Sequence, residues 1–329
     1  MDRRSFLRTA GTAAAVAAGA AAGPACARDN KTLPPDAVGL LFDSTLCVGC
    51  KACVAACKDA NGMPPEPGAG ADGALWDSPL DISGRTLNVI KVYRHGNAKH
   101  KDRAENGFAF VKKSCLHCVD PSCVSACPVS AMTKDAKTGV VSYDKDACIG
   151  CRYCVAACPF GVPRFTYDTP IPQINKCQLC RHRWADGKYA ACAEVCPTGA
   201  TLFGTVADLK QEIARRRALK PGTPTDYPRG RLGGNDESTP GVAATYVDHV
   251  YGEKELGGTQ LMMLSGVPFE KLGYPTLPER SYAADSETVQ TALYGGMVLP
   301  IAFLGGLTWL AKRNVKNDEH EDEGDRDGE

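Results

Sequence analysis

The sequence is poor in aromatic side chains, 7% of its residues, and carries no surplus charge, with 38 Lys and Arg against 38 Asp and Glu. Balanced charge leaves no global basic surface for a polyphosphate, which excludes nucleic acid as a partner. Scarce aromatics leave a 329-residue chain with little bulk for its core, so cofactors are expected to tie its segments together in place of side chains. Also missing is any run that resembles a nucleophile with its base, or a nickel or molybdenum site. No catalysis is therefore expected of the isolated chain. Long apolar runs are absent too, except near the two ends.

What is abundant is cysteine. Of 17 cysteines, all but Cys26 lie between positions 47 and 196, in four tetrads. They are Cys47, Cys50, Cys53, Cys57; Cys115, Cys118, Cys123, Cys127; Cys148, Cys151, Cys154, Cys158; and Cys177, Cys180, Cys192, Cys196. This is the pattern of four [4Fe-4S] clusters. A cubane takes four thiolates on four irons, and C-x2-C-x2-C bends a loop so that three sulfurs converge while backbone N–H groups face the sulfides. A more distant fourth cysteine, usually followed by proline, completes such a run. Cys127-Pro128, Cys158-Pro159 and Cys196-Pro197 have that dipeptide, whereas Lys58 follows Cys57. Zinc is usually held by two separated C-x2-C pairs, and a disulfide framework has no reason to repeat a triple with two-residue gaps. His117 and His182 lie beside cysteines, but the thiolates already complete four sites, so both are expected behind or outside the ligand shell.

Strand-like alternation at residues 38–42, 87–93, 108–112, 140–143 and 201–204, and a short helix at 54–59, place the cysteine loops between brief elements. Strand, cysteine triple and short helix recur. In two-cluster ferredoxins the fourth cysteine of each run ligates the other cluster, so the runs are used in pairs. The second and third tetrads are separated by a short span and form an inner pair; the first and fourth are left as an outer pair. One cluster is then expected on Cys47, Cys50, Cys53 and Cys196, and a second on Cys177, Cys180, Cys192 and Cys57. The inner pair is expected on Cys115, Cys118, Cys123 and Cys158, and on Cys148, Cys151, Cys154 and Cys127. Gly49 and Gly150 sit inside C-x2-C loops where a positive φ is expected. Lys51, Arg152 and Lys176 flank ligands and are expected to favour the reduced state.

The chain opens MDRRSFLRTAG, a twin-arginine export signal followed by a mild Ala/Gly-rich stretch and the A-x-A site Ala25-Cys26-Ala27. Export after folding suits clusters assembled in a reducing cytoplasm, and Cys26 is expected to leave with the signal. Near the other end, no charged residue interrupts positions 289–311, which is long enough to span a bilayer as one helix. Tyr294 and Trp309 mark its ends, and Lys312, Arg313 and Lys316 place the following tail in the cytoplasm. The acidic tail is expected to stay unfolded.

The predicted fold class is α+β, with two nested bacterial-ferredoxin-like units, a C-terminal arm and one transmembrane helix. Its divisions are the signal, 1–27; an outer unit, 37–107 with 169–205; an inserted inner unit, 108–168; a helix and extended arm, 206–287; the span, 288–311; and the tail, 312–329. A Gly- and Pro-rich linker occupies 62–73. Helical spacing over 206–218 leaves Arg215, Arg216 and Arg217 on an exposed face. Residues 221–240 read as an extended loop, and 247–278 as an arm lying over the body or a partner.

The segment INKCQLCRHRWADGKYAACAEVCPTGA resembles the fourth cysteine block of the iron-sulfur subunits of DMSO reductase, formate dehydrogenase and related respiratory complexes. The resemblance covers about residues 40–204 and includes all four tetrads. With the export signal, the single C-terminal helix and VYGEKELGGTQLMMLSGVPFEKLG, the chain looks like the electron-transfer subunit of hydrogenase-two-type membrane-bound [NiFe] hydrogenases. That resemblance implies a periplasmic body at the inner membrane, between catalytic hydrogenase subunits and an integral membrane quinone-reacting subunit. Equivalent subunits of formate, nitrite or sulfur-compound oxidoreductases, or a metal-stabilised structural anchor, are the alternatives.

Overall fold

The computed structural model describes residues 28–65, 78–168, 170–234 and 237–324. The expected export signal with Cys26, linker residues 66–73 and the last five residues lie outside the described residues. The chain divides into a body, residues 30–283, and a second unit built on residues from 284 onward.

The body is a mixed α and β structure of short elements. Strand β1 (Val38–Asp43) leads into the first cysteine loop and helix α1 (Ala52–Ala60) leaves it. Strands β2 (Asn88–Arg94), β3 (His100–Lys101) and β4 (Gly107–Ser114) then form a small sheet in the order β2-β4-β3, and β4 delivers the chain to Cys115. Helix α2 (Ser122–Ser125), the antiparallel pair β5 (Met132–Lys134) and β6 (Val141–Tyr143), and helix α3 (Tyr153–Ala157) carry the second and third tetrads. The pair β7 (Arg164–Phe165) and β8 (Ile174–Asn175) leads to Cys177, a 3-10 turn spans Arg181–Asp186, and helix α4 (Ala191–Glu194) holds Cys192. Strand β9 (Thr201–Thr205) and helix α5 (Val206–Ala218) follow.

First and fourth cysteine segments come together in two ways. Strand β1 pairs antiparallel with β9 from Val38↔Thr205 to Phe42↔Thr201, and α1 packs on α4. Second and third segments meet where α2 packs on α3.

From α5 onward the structure corrects several expectations. Residues 221–240 are not a plain loop: β10 (Pro224–Pro228) pairs with β12 (Ser238–Val242), and β11 (Gly230–Arg231) joins β9. Proline is tolerated there because these strands are short and pair on one side. Residues 247–278 are not a superficial arm either. Strand β13 (Leu261–Leu264) runs parallel to β1, giving the sheet order β11-β9-β1-β13, and all four of its residues are buried. Arg216, expected in solvent, is fully buried, because it lies in phase with Leu209 and Ile213 on the inward stripe of α5.

The close approach of β13 to β1 depends on Gly39, where a Cβ would stand 2.0 Å from the carbonyl oxygen of Gln260. Gly39→Ala is expected to destabilise the body by about 1–3 kcal/mol, the range for overpacking a tight interior. Anaerobic thermal unfolding checks this, and an unchanged melting temperature refutes it.

Helix α6 (Tyr282–Gly324) starts where the Ser281 hydroxyl accepts the Ala283 N–H at 3.0 Å, and Asp285 lies in its first turn. Residues Tyr282–Arg313 are long and apolar enough to cross a membrane. Their apolar side chains, among them Leu293, Val298, Ile301 and Leu304, are exposed all round the helix, as a bilayer-facing segment requires. Pro300 lies inside the helix. The expected break at 312 is absent, since the helix continues to Gly324. Propagating an established helix costs far less than nucleating one, and Lys and Glu are good helix formers.

Candidate iron-sulfur site

The same backbone device recurs in all four tetrads. The residue before the second cysteine has a left-handed conformation each time: Gly49 at φ 69°, His117 at 50°, Gly150 at 72° and Leu179 at 51°. Lys51 and Arg152, one residue after that cysteine, repeat it at 60° and 64°. For Gly49 and Gly150 this is the expected turn, and a Cβ on Gly49 would come within 2.3 Å of the Phe110 ring. A branched Leu at positive φ is sterically costly and persists only where its surroundings impose it. Such a turn aims two cysteines to one side and leaves N–H groups near the sulfurs. Leu179 N–H lies 3.4 Å from Cys177 Sγ, and Thr201 N–H 3.4 Å from Cys196 Sγ.

All cysteines of the four tetrads are free thiols. Cys50 and Cys151 alone among them are exposed; the others are buried or half-buried. Their mutual influence shows which sulfurs converge. Burial pushes the Cys47 thiol up to about 12, with Cys53 and Cys196 adding to the rise. Burial also raises Cys57 well above the ordinary thiol range, and its sulfur neighbours are Cys177, Cys192 and Cys180, not its own run. For Cys118, raised by burial, the neighbours are Cys123, Cys158 and Cys115. Cys154 is pushed up to about 11 by burial and then by Cys148, Cys127 and Cys151. Across these groups, Cys192 adds to the rise at Cys53, Cys115 to that at Cys177, and Cys154 to that at Cys123.

This donor chemistry fits iron-sulfur clusters. Interior thiols that resist ionisation become thiolates when a cationic centre takes the proton's place. Among the described residues, no three His, Cys, Asp or Glu side chains close tightly enough around a point for a single ion. A cubane spreads its thiolates over four separate irons and needs a wider cage. Cys57, Cys177, Cys180 and Cys192, drawn from two separate runs, line one pocket together.

Lys112 was not legible as a site residue, yet its side chain is buried to 1% exposure and lines that pocket. Burial works against its charge, but the negative charge of Cys192, Cys53, Cys57 and Cys177 as thiolates outweighs it and raises its pKa above that of ordinary lysine. The signal was present in the strand pattern: the period of two that turns Phe110 inward also turns Lys112 inward. Of the expected flanking cations, Lys176 is buried and donates to the Val141 and Cys177 carbonyls. Arg152 lies 5.0 Å over the Tyr167 ring, and Lys51 donates to the Ser78 carbonyl. His117 is buried, its Nδ1 accepting the Val141 N–H at 3.1 Å, while exposed His182 meets the Ala60 carbonyl at 2.7 Å.

Repeated cysteine turns, converging thiols and a buried counter-charge define an iron-sulfur protein of the ferredoxin type. The 4Fe-4S dicluster domain family matches residues 107–206. The hydrogenase-2 operon protein HybA of Escherichia coli O157:H7 is 46% identical over 325 residues, covering 98% of both chains. The nitrate-inducible formate dehydrogenase iron-sulfur subunit of Escherichia coli K12 is 33% identical over 290 residues, 88% of this chain and 85% of that one. Its formate dehydrogenase-O counterpart is 36% identical over 181 residues, 55% of this chain and 57% of that one. The chain belongs to this family of iron-sulfur subunits of respiratory oxidoreductases, and its role is electron transfer within such a complex, beside a separate catalytic subunit.

Proposed function

We propose that the sixteen tetrad cysteines hold four [4Fe-4S] clusters, and that the chain connects a periplasmic [NiFe] hydrogenase to a quinone-reacting subunit in the inner membrane. The sets are Cys47, Cys50, Cys53 and Cys196; Cys177, Cys180, Cys192 and Cys57; Cys115, Cys118, Cys123 and Cys158; and Cys148, Cys151, Cys154 and Cys127. The observation that carries this reading is the company Cys57 keeps with Cys177, Cys180 and Cys192 across the fold. The outer unit then comprises residues 37–107 with 169–205, around an inner unit at 108–168. Pairing of β1 with β9, and of α1 with α4, supports that division.

Bound clusters supply one-electron carriers whose charge changes with little movement of the atoms around them. The protein holds them at fixed separations and sets their surroundings with N–H donors, buried cations and excluded water. Electrostatic influence between neighbouring cysteines supports an order from the Cys47 set through the Cys177 and Cys115 sets to the Cys148 set. Exposed Cys50 and Cys151 occupy the two ends of that order, beside exposed Val48 and Ile149, and these loops serve as entry and exit.

The apolar stretch of α6 fits a membrane anchor. The export signal and the basic residues after position 311 support a periplasmic body with its C-terminus in the cytoplasm. A chain ending at Ser281 is expected in the soluble periplasmic fraction with its colour intact, and retention in the membrane pellet in the absence of partners counts against the anchor. Mass spectrometry of the complex extracted in mild detergent tests the partner. Hydrogenase subunits are expected; a formate dehydrogenase, the second reading given the likeness above, would overturn the choice.

A further inference from the structure

Buried lysines near the cysteines differ in one respect. Lys58 donates to the Pro64 and Arg85 carbonyls and the Thr86 hydroxyl at 2.8–3.0 Å. Lys134 reaches the Cys118 and Gly139 carbonyls and the Gln260 side chain at 2.7–3.0 Å, and Lys176 has its two carbonyls. Lys112 has none: its Nζ is buried without a hydrogen-bond partner. An ammonium carries three donors, and leaving it buried and unmatched is strongly unfavourable. Its main chain is anchored, with the Tyr274 hydroxyl donating to the Lys112 carbonyl. Lys112 lines the same pocket as Cys57, Cys177, Cys180 and Cys192, and its charge also acts on Cys53 of the neighbouring set.

We propose that Lys112 is a shared electrostatic positioning residue: its ammonium donates to the sulfurs of the two outer clusters and makes both easier to reduce. This rests on the ligand sets proposed above. A fixed positive charge in a dry interior favours whichever state is more negative, and N–H to sulfur bonds act in the same direction. Each cluster gains one electron from the added reductant, and Lys112 neither gains nor loses a proton. Lysines 58 and 134 are matched by three protein oxygens each and Lys176 by two, so none has more than one donor left to direct at two sets together.

The test uses the intact membrane complex, titrated with dithionite and followed by EPR. Lys112→Met is expected to keep the wild-type iron content while two of the cluster signals become harder to reduce, each by at least about tenfold, which is about 59 mV for one electron. The other two signals stay in place. Lys112→Arg keeps all midpoints within about threefold of wild type, about half that shift. Unmoved midpoints in an iron-replete Lys112→Met protein overturn the proposal and leave the ligand sets standing. A wild-type chain without about sixteen irons overturns the sets themselves. Should Lys112→Met fail to assemble, pulsed EPR of the wild-type complex with 15N-labelled lysine decides: a 15N coupling that Lys112→Arg removes is expected, and absence of that coupling overturns the proposal.

Discussion

Alanine at Cys57 removes the same EPR signal as alanine at Cys177 or Cys192, and iron falls by up to about four of sixteen atoms per chain. Alanine at Cys47 and at Cys196 together define a different signal. This grouping is unusual, since Cys57 follows Cys53 by one helical turn of α1 and Cys177 is far along the chain. A cluster built within the first run would instead lose one common signal in the Cys50 and Cys57 variants. That outcome refutes the crossed sets. The crossing also has a mechanical meaning, because each cluster then ties two segments, and losing one loosens its neighbour through the pairing of α1 with α4.

Arg216→Met is expected to cost about 3–5 kcal/mol, the range for breaking a buried ion pair at one side. Arg216 is fully buried, 2.8 Å from Asp43 and 2.7 Å from Glu212. Asp43 is as deeply buried, and it also accepts the Tyr246 hydroxyl at 2.8 Å and the Thr45 N–H and hydroxyl at 3.0 and 2.6 Å. Without Arg216 the Asp43 carboxylate is left charged in the interior at the end of β1, four residues before the first ligand. Its own carbonyl accepts the Cys47 N–H, so damage should reach the first cluster loop. Anaerobic urea unfolding and iron analysis check both effects. Arg217→Ala, which removes a surface pair with Asp248, should change stability by less than about 1 kcal/mol. If the two variants behave alike, the buried network has no special weight.

Cysteine spacing alone makes the site legible, because iron-sulfur ligation is a local geometric demand written into loops of two-residue gaps. Strands β1, β4, β6 and β9 and helix α5 are legible too, from periodicity. Lys112 and Arg216 are not, for one reason: each is a charged residue standing in phase with an apolar stripe, and its charge points to solvent while its phase points inward. Strand β13 is hidden differently. LMML is a four-residue apolar run with no alternation, since it is buried on both faces, and its partner β1 lies over two hundred residues earlier in the chain. Nothing local in residues 247–278 reports such a neighbour.

That late partner bears on biosynthesis. Translation at about 5–20 residues per second separates the emergence of β1 from that of β13 by about 10–40 s. For most of this interval β9 is missing too and both edges of β1 are unpaired, and the cysteines from Cys47 to Cys196 all leave the ribosome before Leu261–Leu264 can complete the sheet. Over the last part of that interval the nascent chain therefore carries its full set of tetrad thiols while its main sheet still lacks a strand.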